Sequence, residues 1–142
     1  MDSPDIEARM AQQQRLLSNT RNERAAAERK LTSLMEFYDA HGRQTEMMRR
    51  DLTQRRTQLN AVNTDTSRSK TLSSLVSGFS GTLREGEAQL NRRDDQANTI
   101  RTVIHRSEDR VRVLKEQERM YEEMVNDSRL ELATALKEEA IQ

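Results

Sequence analysis

The chain has no cysteine and no tryptophan, one proline, four glycines and only four other aromatic residues in 142 positions. Without cysteine there are no disulfides and no thiolate metal sites, and the redox compartment stays open. With proline confined to Pro4, almost nothing in the chain forbids long helices. An apolar content of 33% is too little for a thick globular core, yet enough for a narrow seam between helices. Charge of one sign is also lacking, because 24 basic and 24 acidic residues cancel. Such a balance creates no global pull toward nucleic acid or an anionic membrane. No apolar run approaches the roughly 18 residues that span a bilayer, so no membrane insertion is expected. The N-terminus lacks a basic-then-apolar signal pattern. The expected location is cytoplasmic, with association to the cytoskeleton as the finer expectation.

What is present is charge, 34% of residues, arranged around a seven-residue apolar rhythm. From Ile6 the spacing alternates four and three through Met10, Gln13, Leu17, Thr20, Arg24, Ala27, Leu31, Leu34, Tyr38, His41, Thr45, Met48, Leu52, Arg55, Leu59 and Val62. Eleven of these seventeen places are apolar, the pattern of a coiled-coil seam. A second seam runs through Val76, Phe79, Leu83, Gly86, Leu90, Arg93, Ala97, Ile100, Ile104, Ser107, Val111, Leu114, Glu118, Tyr121, Val125, Ser128, Leu132 and Ala135. Its companion series follows by three residues where the first seam's follows by four. One continuous helix would have to twist to absorb that step, and a chain that turns back is simpler.

The stretch from Asn63 to Gly86 holds three of the four glycines and a dense run of Ser and Thr. Residues 63–70 contain no apolar side chain and are rich in types that bond to their own backbone. Thr82 to Glu85 has capping-box spacing, so a helix start is expected at Thr82. Helix 1 is expected to start at a Ser3 cap with Pro4 in its first turn. The predicted organisation is helix 1 over 1–62, a reversal region with a short helical turn over 63–81 and a break near 77–82, then helix 2 over 82–142. Each long helix would measure roughly 85–90 Å. The expected fold is all-α: an elongated antiparallel coiled-coil hairpin, or part of a larger helical bundle.

Charge supports the reversal. Residues 9–30 carry a net +4 and residues 116–139 a net −5, and a fold near residue 70 sets them side by side. Antiparallel packing then permits partners whose numbers sum to 138 or to 145. Arg24, Arg55, Arg93 and Glu118 sit in the seams and are expected to set register.

No catalytic constellation emerges. His105 and Asp109 lie one helical turn apart, but no third metal ligand is near, and His41 is a seam residue. Glu122-Glu123 and Asp94-Asp95 lie on solvated helix with no pocket to tune them. Phosphate loops and nucleophile elbows are missing. Arg49-Arg50 and Arg55-Arg56 form the densest basic patch, without interleaved aromatics for base stacking. The expectation is therefore no enzyme, no cofactor, no metal, no nucleic acid and no small-molecule substrate. The run 64–74, with Ser69 and Thr71 beside Arg68 and Lys70, is a candidate stretch for phosphorylation.

Apolar residues beside the seams widen the stripe beyond what two helices bury. Leu16, Met35, Phe37, Val103, Met124 and Leu136 are the flanking set, and Leu72, Leu75 and Phe79 add a patch near the reversal. These are the expected partner-binding residues, for other helical proteins or a second copy. The expected role is a non-enzymatic structural or adaptor subunit of a cytoskeletal, ciliary, kinetochore or tethering assembly. The stretch Ala27-Glu28-Arg29-Lys30-Leu31-Thr32-Ser33-Leu34 leading into Phe37-Tyr38, the charged tail 115–139 and the hairpin plan carry an alternative. In these features the chain resembles the small coiled-coil stalk proteins of flagellar and type III export ATPases. That resemblance implies an export-stalk and chaperone-escort role. The second-helix aromatics of that family are missing apart from Tyr121. A chaperone of the prefoldin kind would need strand-forming sequence between the helices, and Asn63 to Gly86 has no such alternation.

Overall fold

The computed structural model describes residues 2–65 and 70–141, leaving aside the side chains of 63–65 and of Leu72. Two helices make up the fold: α1, Ser3–Asp65, and α2, Lys70–Ile141. They pack against each other as an all-α helical hairpin, with no strand among the described residues. The contacts divide the hairpin into two units, to each of which both helices contribute. A terminal unit takes Met1–Ser33 with His105–Gln142, and a mid-chain unit takes Leu34–Ile104.

Both seams have the expected phases. In the terminal unit Ile6 and Leu17 of α1 and Val111, Leu114 and Val125 of α2 are buried; in the mid-chain unit Leu90 and Ile104 are. A seam this narrow holds many small polar residues too. Gln13, Thr20, Ser107 and Ser128 are buried in the terminal unit, His41 and Thr45 in the mid-chain unit. Buried polar groups are stable only when bonded. Ser128 Oγ accordingly donates to Gln13 Oε1 at 2.6 Å, and Thr45 Oγ1 donates to the His41 carbonyl at 2.8 Å.

The boundaries differ from the sequence expectation. α1 runs past residue 62 to Asp65, and α2 begins at Lys70 instead of Thr82. There is no break at 77–82: Gly78 and Gly81 are helical, and no glycine has a positive φ. The Thr82 hydroxyl does not cap a helix start; it donates back to the Gly78 carbonyl at 3.2 Å, an intrahelical bond. Val76 and Leu83, half-buried at seam positions, favour continuing the helix. Their packing outweighs the cost of about 1 kcal/mol per helical glycine. The expected reversal region, 63–81, falls partly on 66–69, outside the described residues. So does Ser69 of the candidate phosphorylation run.

The start of α1 also differs. The Asp2 carbonyl accepts from the Asp5 and Ile6 amides. Ser3 is already helical, and its hydroxyl donates across to Glu139 Oε2 at 3.1 Å instead of capping. The Ser3 amide donates to the other oxygen of that carboxylate at 3.3 Å. A carboxylate at the first turn suits the positive end of the helix dipole, so the end of α2 adds a second anion to the one α1 carries there itself, Asp5.

Candidate partner-binding surface

In α1 the two seam series are the d positions, Ile6 onward, and the a positions, Met10 onward. In α2 the a positions begin at Val76 and the d positions at Phe79. Each seam is then flanked by e residues on one side and g residues on the other. This labelling sorts the surface.

The e side is zipped by charge. In the terminal unit Arg21 Nη2 meets Glu122 at 2.9 Å and Lys115 meets Glu28 at 3.7 Å. In the mid-chain unit Arg49 meets Asp94 at 3.2 Å, and Arg56 pairs with Glu87. All four are e-to-e pairs across the hairpin. The basic patch Arg49-Arg50 and Arg55-Arg56 is thereby occupied: Arg50 adds a contact to Glu46 and Arg55 one to Asp51.

The g side differs between the units. In the terminal unit it carries two ion pairs, Arg9 with Glu131 and Glu23 with Arg110, along with Leu16 and Met124. In the mid-chain unit no ion pair crosses between the helices on this side, among the described residues. A groove of about 660 Å³ opens there instead. Its floor is made of seam residues such as Leu52, Leu59, Leu83 and Leu90. Its rim takes Asp51, Gln58, Leu75, Thr82 and Gln89 from the g flank and no residue from the e flank. Phe79 and Val62, expected in the seam, are exposed here, Phe79 to 60%. The seam is therefore unsealed at this end of the mid-chain unit.

The expected partner-binding residues are dispersed between the units. Leu16, Met124 and Leu136 lie exposed on the terminal unit. Met35, Phe37, Leu75 and Phe79 lie exposed on the mid-chain unit, Phe37 to 58%. Val103 is half-buried, and the Leu72 side chain lies outside the described residues. Only Leu75 and Phe79 converge on one groove. Exposed Met47 was not anticipated. Its signal was present, since it stands beside the g flank, three residues from Gln44 and four from Asp51, on a face whose other mid-chain members, Ala40, Gln54 and Ala61, are uncharged.

Three of the four expected register residues cross the hairpin. Arg24 pairs with Glu118, which also receives Arg21 at 3.2 Å. Arg93 donates to Thr45 Oγ1 at 2.8 Å and to the His41 carbonyl at 3.3 Å. Arg55 does not cross; exposed, it pairs along its own helix. A long side chain at a seam position with an open groove beside it escapes to solvent. In the mid-chain unit two seam contacts, Thr45 with Arg93 and Leu52 with Gly86, belong to the register summing to 138. In the terminal unit the bonded seam residues, Gln13 with Ser128 and Arg24 with Glu118, sum to 141 and 142, between the two expected registers.

The hydrogen bond from Arg24 holds the Glu118 carboxyl below its usual range, more than burial raises it, with the Arg24 charge and the Arg21 bond adding to the effect. A carboxyl whose folded pKa is depressed contributes stability above its unfolded pKa and loses it as pH falls through the folded value. The intact chain should thus lose stability from about pH 5 downward. Glu118→Gln should be less stable at neutral pH and show a flatter acid dependence. Urea unfolding followed by circular dichroism from pH 7 to 3 measures both. Parallel acid slopes for the two proteins would show that Glu118 is not a linked group.

His105 faces Glu108 at 3.9 Å, and Asp109 bonds Arg112 at 3.0 Å. Among the described residues no group of three or more His, Cys, Asp or Glu side chains is placed to hold a metal. No described helix is long and apolar enough to cross a membrane. No protein-family model, curated protein or solved structure matches the chain.

Proposed function

We propose that the chain is a non-enzymatic structural or adaptor subunit, which binds helical partners within a cytoskeletal, ciliary or tethering assembly. The observation that carries this reading is the asymmetry of the mid-chain unit. Its e side is closed by cross-hairpin ion pairs, whereas its g side has an apolar groove with Leu75 and Phe79 exposed. Apolar side chains held open to water beside a groove favour covering by another apolar face. A helix fits the shape, because it can supply side chains at the same seven-residue spacing.

Site-specific photo-cross-linking in cells tests it. A probe at Gln58 or Gln89 on the g rim should give one recurring helical adduct, identified by mass spectrometry. A probe at Arg43 or Asp95, on the outward faces, should give none. Equal labelling from all four positions would remove the basis for this reading.

A further inference from the structure

We infer that the g flank of the terminal unit docks a basic amphipathic helix of another protein. This face is separate from the mid-chain groove, and the inference does not depend on what that groove binds.

Its apolar part is a stripe on the outward side of α2. Val113 and Met120 occupy successive c positions, and Met124 takes the g position one turn beyond Met120. All three are exposed. Across the flank stands Leu16 of α1, also exposed. The numbers of Leu16 and Met124 sum to 140, as do those of the paired Arg9 and Glu131 on the same flank, so the two lie level. The stripe therefore extends onto both helices. Steps of seven and four residues fit the side chains of a third helix laid along the hairpin. An extended segment has nothing to pair with, because a helix offers no open backbone edge. Methionines suit such a contact, since their flexible thioethers mould to a partner.

Charge states what the partner carries. Glu116 stands one turn before Met120, Glu123 one turn after it, and Asp127 one turn beyond Met124. All three carboxylates are exposed, and none joins an ion pair among the described residues. The α2 carboxylates that reach α1 differ: Glu118, Glu122 and Glu131 are each held by arginine. Neighbouring cations do not neutralise the three. Lys115 reaches Glu28 of α1, and Arg119 sits at a b position, on the far side of the f residues from Met124. On the α1 rim, Gln12, Asn19 and Ala26 are uncharged. Negative charge thus borders the stripe along α2. A helix with Lys or Arg beside its apolar face complements that border, whereas an acidic helix, an anionic lipid surface and a nucleic acid are repelled by it.

Fluorescence anisotropy of the full chain with synthetic peptides tests this. One peptide has three heptads with leucine at a and d and lysine at e and g; its counterpart has glutamate in place of lysine. The lysine peptide should bind more tightly by about tenfold or more. Met120→Gln with Met124→Gln, at positions exposed in the free chain, should leave the helical circular dichroism unchanged and weaken that binding by about tenfold. Glu116→Lys, Glu123→Lys and Asp127→Lys together should make the glutamate peptide the tighter ligand. Glu36→Lys, Asp39→Lys and Asp95→Lys together change the net charge equally at exposed sites of the mid-chain unit, and should leave the preference as it was. Equal binding of the two peptides, or none of either, overturns the inference, as does a control triple that inverts the preference as fully as the first. Binding abolished by Leu75→Glu and untouched by the methionine substitutions would place the peptide in the mid-chain groove; this inference then falls while the reading of the groove stands. A chain that alone sediments at twice 16.5 kDa, and returns to one-chain mass on the methionine substitutions, would show this face filled by a second copy and would also overturn it.

Discussion

Leu114→Ala is expected to destabilise the terminal unit by about 3 kcal/mol, in the range typical of a buried leucine truncated to alanine. Leu114 is exposed to only 1%, the most enclosed large side chain of the described residues. A two-helix seam has few layers, and the seam positions next to Leu114 on its own helix hold the β-branched Val111 and the ion-paired Glu118. Such residues cannot expand into the lost volume, so most of the cavity term persists. Leu130→Ala, at a residue exposed to 69%, should change stability by no more than about 0.5 kcal/mol. Urea unfolding of the three proteins measures the contrast. Hydrogen exchange then locates the loss. Amides within 3–33 and 105–141 should lose protection more than those within 34–62 and 70–104, because the packing around Leu114 belongs to the terminal unit. Equal effects of the two alanine substitutions would mean that Leu114 does not occupy a packed layer.

Gly78→Ala combined with Gly81→Ala is expected to act in the opposite direction, raising stability by about 2 kcal/mol. Both glycines are helical, and a Cβ at either position would meet nothing within 4 Å. Each substitution therefore gains the helix propensity of alanine, about 1 kcal/mol, with no steric cost. Gly86 is the useful control. A Cβ there would come within 2.8 Å of Leu52 Cδ1, so the leucine tip must shift, and Gly86→Ala should gain less. Thermal unfolding separates these cases: the double variant should melt several degrees above the parent chain. A lower melting temperature would mean that the chain needs a bend at 77–82, as the glycine spacing suggests when taken alone.

These two expectations mark where sequence reading was sufficient and where it was not. The phases of both seams were legible because burial imposes a seven-residue period on any helix with one packed side. The opposite net charges of 9–30 and 116–139 likewise foretold which stretches meet, as Arg9 with Glu131 and Arg21 with Glu122 do. The start of α2 was misread. Glycines at 78 and 81 and a capping-box spacing at Thr82 are local signals, and half-buried Val76 and Leu83 override them. The candidate surface was only partly legible. Leu75 and Phe79 stood out as apolar residues near the reversal, but Phe79 also fitted the seam pattern, and pattern alone could not say that the seam is open there. Arg55 occupies a seam position like Arg93. One lies beside the open groove and stays in water; the other finds Thr45 and the His41 carbonyl across a closed layer.

The amino-acid sequence by itself determined an all-α hairpin without cysteine chemistry, with two apolar seams and flanks of opposite charge. Those features follow from periodicity and composition, which act residue by residue along a helix. Only the tertiary structure decided which flank is zipped and which is open. That choice depends on whether side chains from two distant stretches reach each other across the seam. Arg49 reaches Asp94, and Arg56 reaches Glu87, on one side. On the other side of the same unit Leu75 and Phe79 reach no covering layer and remain exposed.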